Sequence, residues 1–218
     1  GNNHLVRFAN YKVAVKEGQI PPRFAPNLVN RYGYPVFNYN YPLANILSLP
    51  FSALNFHYEL TFKVLVSLFF IIGAGGTWFW LDRLKIKNQS FKLLAIASLF
   101  VSPYALNLVY VRGNIGAIMA LNLFPWLLAL VDHLLSKKKI TSAWRVIYLL
   151  AGAAFFLAHN ISVMFGMGLL AVYALVRFNF KKNFKQTWFK LVLYVLGWTG
   201  LSLWFWLPAM LEKHLVIL

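Results

Sequence analysis

Cysteine is absent from this sequence, and acidic residues are scarce. With no Cys among 218 residues, disulfides, Cys-based zinc sites and thiol nucleophiles are excluded. Charged residues are only 12% of the chain, about half of their share in soluble domains, which leaves too little polar surface to cover a soluble enzyme. No two carboxylates lie within ten residues of each other, so the sequence has no local acid–base pair. The five acidic residues are Glu17, Glu59, Asp82, Asp132 and Glu212.

Apolar residues dominate the chain instead. They make up 60% of it, aromatic residues 18%, and the mean hydropathy is +0.62, a composition that excludes intrinsic disorder. Five stretches contain no Asp, Glu, Lys or Arg, and four of them have the length of one membrane span, about 20 residues. The stretches are Val64–Leu81, Leu93–Val111, Ile115–Val131, Val146–Val176 and Leu191–Leu211. The sequence therefore predicts an all-α polytopic membrane protein.

The basic residues predict how the spans are oriented. The loops Asp82–Lys92, Asp132–Arg145 and Arg177–Lys190 contain four, four and five basic residues, and the positive-inside rule places all three in the cytoplasm. One helix over Val146–Val176 would put the second and third loops on opposite faces. It would also be about 46 Å long, well over a hydrocarbon core of about 30 Å. We therefore expect two short helices, broken at Ala158–Asn160.

This topology gives an extracytoplasmic segment, residues 1–60, and a transmembrane domain, residues 61–218, in the cytoplasmic (inner) membrane. The six predicted spans are residues 62–81, 93–111, 115–135, 146–158, 161–177 and 191–211. The net charge of +16 then belongs mainly to cytoplasmic loops facing anionic lipid, and no basic groove or recognition motif indicates nucleic acid. Gly1 in place of an initiator Met and the apolar end Leu215–Leu218 predict a fragment of a longer protein.

Residues 1–60 differ from the rest in being rich in Pro, Asn and Tyr. Apolar spacing predicts a helix over Leu5–Lys16 that stops at Gly18, an irregular stretch over Gln19–Pro42, and a short interfacial helix over Leu43–Leu54. Aromatic faces with Asn and Arg donors suit sugar rings and phosphates. The alternative is a packed cover for the helices with no ligand.

Three polar sites near the predicted outer face are candidates for ligand binding. His4 and Arg7 share one helix face because they lie at positions i and i+3. One interpretation is that they contact an anionic donor, and the other is that this helix face is simply solvated. Arg112 ends a span beside a predicted turn, where a guanidinium holds a phosphate or snorkels to the interface. His159 and Asn160 interrupt an uncharged run, and ionisable residues there are functional candidates, although an Asn that starts a helix explains them too.

Two further features carry weaker signals. Glu212, at the outer end of the last span, is a candidate acid, base or metal ligand, or an ordinary charge at a helix end. Gly73–Gly76 predicts close helix packing, since it lacks the phosphate-loop pattern. The five histidines show no metal-ligand spacing, so no metal site is predicted. No cofactor is evident, and a divalent metal stays an open alternative that no pattern supports.

An ordered set of motifs along the chain resembles a known type of membrane protein. The motifs are His4–Arg7, Gly18–Phe24, Tyr32–Tyr39, Tyr41–Leu43, Val111–Gly113, His159–Asn160 and Trp206–Ala209. Together they resemble bacterial polytopic proteins of the GT-C glycosyltransferase type, and among them the membrane family labelled as related to 6-pyruvoyl-tetrahydropterin synthase. Pterin synthases are small soluble zinc enzymes, and this chain has no zinc-ligand pattern, so the label does not describe its chemistry.

The resemblance implies a further span before Gly1 and a catalytic Asp just ahead of it, acting as base or metal ligand. It implies a polyprenyl-phosphate-linked sugar as donor and a glycan or lipid as acceptor. Relatives often have an acid where this chain has Asn27 and Ala117, which argues against metal binding there. The residues expected to bind donor phosphate or substrate are His4, Arg7, Arg23, Tyr32, Asn38, Tyr39, Arg112, Asn114, His159 and Asn160.

Sugar transfer from that donor at the outer face is the function that the resemblance implies. An inverting transfer needs a carboxylate base, and the scarcity of acids favours the alternative of a non-catalytic binder or transporter of lipid-linked glycan. A structural membrane protein is the third interpretation. Whether the chain is an enzyme therefore stays open at the level of sequence.

Overall fold

The computed structural model describes residues 2–136, 139–178 and 184–215, and 80% of the chain is helical. No β-strand occurs within the described ranges, so the all-α prediction is confirmed. Two of the basic residues on which the topology depends, Lys137 and Lys138, and the loop residues 179–183 lie outside the described part.

Residues 2–57 form a compact segment that we call the crown. It contains helices α1 (Asn2–Lys16), α2 (Val36–Tyr39) and α3 (Leu43–Ala53). The α1 and α3 predictions are confirmed to within three residues, and Gly18 has the positive φ of 90° expected at a helix stop. The short α2 was not predicted.

The crown has a small apolar core of its own. The rings of Tyr11 and Phe37 meet edge to face with centroids 5.0 Å apart, and both are buried together with Ala25. Phe8 is fully buried in the core of the membrane helices instead. The crown is therefore folded on itself and anchored through α1 to the helices below.

Seven further α-helices follow the crown in the described part of the chain. Five segments are long and apolar enough to cross a membrane, counting α5, α6 and a π-helical stretch over Asn107–Val111 as one. Helix α8 is apolar but has only 17 residues, so a sixth span remains a prediction. The helices are α4 (Tyr58–Arg83), α5 (Gln89–Val101), α6 (Pro103–Leu106), α7 (Ile115–Leu135), α8 (Ser142–Ala158), α9 (Asn160–Phe178) and α10 (Phe184–Leu211).

The run over Val146–Val176 is broken as predicted. Helix α8 ends at Ala158, His159 has an extended backbone (φ −164°, ψ 117°), and α9 begins at Asn160. Successive long segments run in alternate directions, so their connections lie at two ends of the bundle. We call these the crown end, which carries Arg112–Asn114 and His159, and the basic end, which carries Lys85–Asn88 and Lys139–Thr141.

Helix α7 is the centre of the bundle, and 78% of its most apolar window is buried. It packs closely on α4 because α4 offers glycines there. A Cβ at Gly73 would lie 2.0 Å from Asn122 Oδ1, and one at Gly76 would lie 2.6 Å from Trp126 Nε1. The prediction that Gly73–Gly76 serves helix packing is confirmed.

Asp132 lies in this interior. The count of loop charges places it in the loop Asp132–Arg145 instead. Its side chain is 1% exposed and pairs with Arg177, whose Nε donates to Asp132 Oδ1 at 2.7 Å. Trp80 Nε1 donates to Oδ2 at 3.1 Å, and the Tyr173 hydroxyl donates to the same oxygen. Because a buried charge is tolerated only when it is paired and hydrogen bonded, this network ties α4, α7 and α9 together.

Candidate functional site

Five candidate residues meet around Tyr41 at the crown end, and we call the five together with Tyr41 the Tyr41 cluster. The Tyr41 ring lies between the rings of His4 and His159, with centroids 6.2 and 5.0 Å away. Its hydroxyl donates to Asn114 Oδ1 at 2.9 Å and lies close to the Arg7 guanidinium. The members of the cluster are His4, Arg7, Tyr41, Arg112, Asn114 and His159.

The connection between the π-helical stretch and α7 positions two of these residues. The amide of Arg112 donates to Asn107 O at 2.9 Å, which closes the wide turn and sets the direction of the arginine. Gly113 has a φ of 54°, which a residue without Cβ adopts readily. Asn114 then caps α7, because its Oδ1 accepts from the Ala117 amide at 3.1 Å.

His159 is held by the first turn of α9. Its Nδ1 lies 3.2 Å from the Ser162 amide nitrogen and 2.9 Å from the Ser162 hydroxyl. The other ring nitrogen, Nε2, lies 3.2 Å from Asn114 Nδ2. Asn114 Oδ1 already accepts two hydrogen bonds. The His159 ring is thus fixed from both sides, by Ser162 and by Asn114.

The charge of the Tyr41 cluster is positive. Arg112 is exposed, and no carboxylate in the described part of the chain pairs with it. Burial, and after it the Arg7 guanidinium, lowers the pKa of His4 to about 4, so His4 is neutral at pH 7. Burial raises the pKa of Tyr41, and the two arginines oppose that shift. At neutral pH the cluster thus carries two guanidinium charges and several N–H and O–H donors.

An apolar groove leads away from this cationic end. A cavity of about 260 Å³ has Arg112, His159 and Ser162 at its polar end, and apolar side chains form most of its remaining wall. Its apolar lining includes Leu121, Phe124, Phe155, Ile161, Phe165 and Leu169. The last three lie one helical turn apart on α9 and are 60–62% exposed. The groove is therefore continuous with an exposed apolar stripe along α9.

A second group of candidates surrounds Glu212, and we call it the Glu212 cluster. Asn38 Nδ2 donates to Glu212 Oε2 at 2.7 Å, and Arg23 lies 3.8 Å from Oε1. Arg23 also donates to Asn38 Oδ1 at 3.0 Å, and the Tyr39 hydroxyl donates to Glu212 O at 2.8 Å. These contacts attach the end of α10 to the crown. The carboxylate is thus engaged, although its side chain is still 45% exposed.

Asn160 connects the two clusters. It follows His159 in the chain, and its Nδ2 donates to Tyr39 O at 3.2 Å. Tyr32 is 86% exposed, and within the described ranges no hydrogen bond joins it to another candidate. No group of three His, Asp or Glu side chains able to hold a metal occurs among the residues that the structure describes.

Sequence reasoning missed two residues that assemble this site. Tyr41 was noted only as part of a motif, and its central position depends on contacts with residues more than 70 positions away. Gly116 allows the close approach, because a Cβ there would lie 2.3 Å from the Tyr41 ring and 2.4 Å from Ala158 O. A glycine in the first turn of a predicted span was the available signal for it.

The apolar helices and the crown define the protein as an α-helical, polytopic membrane protein. It belongs to the family described as the 6-pyruvoyl-tetrahydropterin synthase related domain, a membrane protein family, whose sequence model matches residues 34–217. The predicted membership of that family is confirmed, while the GT-C glycosyltransferase likeness stays a prediction. No curated protein and no solved structure matches the chain.

Proposed function

We propose that this protein binds a polyprenyl-phosphate-linked sugar at the crown end, on the extracytoplasmic side of the inner membrane, and transfers the sugar to a glycan or lipid acceptor. The phosphate lies at Arg112, His159 and Asn114, and the polyprenyl chain follows the apolar stripe of α9. The sugar lies toward the crown. Arg7 and Arg23 add positive charge, and His4, Asn38, Tyr39 and Asn160 complete the expected contacts.

The exposed Arg112 guanidinium at the polar end of the groove carries this proposal. Arg112 lines the cavity together with His159 and Ser162, and none of the ion pairs of the described residues includes it. A phosphate there would accept charge-assisted hydrogen bonds from the guanidinium. In a chain with 21 basic and five acidic residues, no carboxylate competes for this position in the described structure.

The groove supports a lipid rather than a soluble phosphate ester. Arg112, His159 and Ser162 lie at one end, and apart from Tyr104 the rest of the wall is aliphatic and aromatic. The stripe of Ile161, Phe165 and Leu169 continues this wall on a helix face exposed to lipid. A polyprenyl chain fits such a path because burying apolar surface favours binding. Asn160 Oδ1 is buried and without a partner in the described part, so it can accept from a sugar hydroxyl.

Transfer needs a base as well as a donor site. An acceptor hydroxyl attacks the anomeric carbon, the bond to the phosphate oxygen breaks, and polyprenyl phosphate leaves as the hydroxyl proton passes to a base. Glu212 is the carboxylate nearest in contact to the candidate residues, through Asn38 and Arg23. That engagement favours the second candidate function, binding or transport of lipid-linked glycan without transfer.

Binding is tested with the purified full chain by native mass spectrometry, using polyprenyl phosphate and the matching polyprenyl alcohol. We expect the phosphate to bind at least tenfold more tightly than the alcohol, and Arg112→Gln to remove that preference. Arg31→Gln removes an exposed crown arginine outside the cluster and serves as the matched control. Equal affinity of wild type for phosphate and alcohol would refute the proposal and favour a structural role.

Transfer is tested separately with a radiolabelled polyprenyl-phosphate sugar in membranes. Glu212→Gln keeps an acceptor for Asn38 and removes the basic carboxylate. Loss of labelled product with unchanged donor binding would support transfer with Glu212 as the base. Donor binding with no labelled product from wild type would favour the non-catalytic binder.

A further inference from the structure

The larger of the two described cavities lies at the basic end, away from the Tyr41 cluster. It has a volume of about 520 Å³ and lies between the end of α7, residues Lys139 and Ile140, and the N-terminal halves of α8 and α10. Three of its lining residues are basic, namely Lys139, Arg145 and Lys190. A volume of this size is in the range of small-molecule and cofactor sites.

The three cations have no carboxylate partner among the residues that the structure describes. Of the five acids in the chain, Asp132 is engaged by Arg177 and Asp82 by Lys92, while Glu212 contacts Arg23 at the opposite end. None of the ion pairs of the described residues includes a cation of this cavity. Three like charges around one space repel each other, so an anion bound among them lowers the energy of the folded protein.

The apolar lining lies one helical turn from the cations. On α8, Leu149 follows Arg145 at i+4, and on α10, Leu193 follows Lys190 at i+3. In both helices the leucine lies farther from the basic end than the cation does. Leu193 is 50% exposed, so the apolar part of the cavity is open toward lipid. A ligand that fits has an anionic head at the cations and a hydrocarbon chain along the leucines.

We infer that this cavity is a specific binding site for an anionic glycerophospholipid, with the headgroup phosphate among Lys139, Arg145 and Lys190 and an acyl chain against Leu149 and Leu193. Basic pockets between transmembrane helices on the cytoplasmic side hold anionic lipid headgroups in this way. The basic end is the end that the sequence predicts to be cytoplasmic. The ligand, the bundle end and the residues all differ from those of the proposed donor site.

The test is lipid retention by the purified full chain in mixed micelles that contain equal amounts of phosphatidylglycerol and phosphatidylcholine. Wild type should retain phosphatidylglycerol selectively. Each cation near a headgroup changes affinity about fivefold, so Arg145→Gln/Lys190→Gln should weaken retention about 25-fold. The matched control, Lys85→Gln/Lys87→Gln, removes the same charge from exposed positions at the same end and should stay within twofold of wild type.

A second variant keeps the charges and fills the apolar part. Leu193→Trp should reduce phosphatidylglycerol retention while thermal unfolding of the protein stays unchanged. Equal losses in the two double variants would overturn the proposal, because the effect would then be diffuse charge. Displacement of the lipid by millimolar glycerol phosphate would also overturn it in favour of a soluble phosphate ligand.

Discussion

Substituting Gly116 with alanine tests the close approach on which the Tyr41 cluster depends. The new Cβ would lie 2.4 Å from Ala158 O and 2.3 Å from the Tyr41 ring, whereas ordinary contacts begin at 3.4 Å. The ring can turn, but the carbonyl moves only if the end of α8 moves with it. Helices α7 and α8 must therefore separate by about 1 Å at the crown end, a strain typical of overpacking.

The expected cost follows from three contributions. Overpacking costs about 1–3 kcal/mol, and loss of the 2.9 Å hydrogen bond between Tyr41 and Asn114 costs about 1 kcal/mol. Alanine in a helix is more stabilising than glycine by about 0.5–1 kcal/mol, which offsets part of this cost. The net loss of about 1–3.5 kcal/mol lowers the melting temperature by about 2–14 °C for a chain of this size, at about 2–4 °C per kcal/mol. Polyprenyl phosphate binding should weaken about tenfold, because Asn114 and His159 lose their alignment.

The assay is thermal unfolding of the purified protein, followed by polyprenyl phosphate binding below the transition. Gly168→Ala in α9 is the matched control, because a Cβ there meets nothing within 4 Å, and it should melt at or slightly above the wild-type temperature. If Gly116→Ala melts together with Gly168→Ala and binds as wild type does, the reasoning is refuted.

Three further substitutions test other parts of the structure. Arg177→Gln leaves the buried Asp132 without its cation and should lower the free energy of unfolding by about 3–5 kcal/mol. The double variant Arg177→Gln/Asp132→Asn should recover part of that stability, and an Arg177→Gln variant as stable as wild type would contradict a buried pair. The pKa of His4 is about 4 in the folded protein and about 6.5 in the unfolded chain. The contribution of neutral His4 to the free energy of unfolding is therefore complete above pH 6.5, and it falls by at most about 1.4 kcal/mol per pH unit toward pH 4. His4→Gln should flatten that part of the melting profile, and a pH profile identical to that of wild type would count against the assignment. Glu212→Ala removes the acceptor to which Asn38 Nδ2 donates at 2.7 Å in the native protein and should lower the free energy of unfolding by about 1–3 kcal/mol. Glu212→Gln keeps an acceptor and should cost under about 1 kcal/mol. Equal melting temperatures of the two variants would argue against that hydrogen bond.

The membrane helices were predictable because the bilayer imposes length and composition directly on sequence. Uncharged runs located α4, α7 and α9, and the excess length of Val146–Val176 located the break at His159. The true ends lie farther out, as where α4 begins at Tyr58, because helices extend past the apolar run into the interface. The short α2 was missed because four residues leave no periodicity to detect.

The candidate site was predictable only in its parts. Polar residues in apolar surroundings identified Arg112, Asn114 and His159 one at a time, since each is conspicuous locally. Their meeting around Tyr41 depends on tertiary packing that no local pattern encodes. Asp132 is a second residue whose position no local pattern predicts. Its sequence neighbours indicate a loop charge, but its pairing with Arg177, 45 residues away, places it in the interior.

The contact between Asn38 and Glu212 joins residues 174 positions apart, and it therefore sets an order on biosynthesis. The crown is translated before α10, so its attachment to α10 forms only after residue 212 has been made. Until then Arg23 and Asn38 lack their carboxylate partner, and the Tyr39 hydroxyl lacks its hydrogen bond to Glu212 O. A chain that stops before residue 212 would therefore keep the residues of the crown's own apolar core but lose these contacts between the crown and α10.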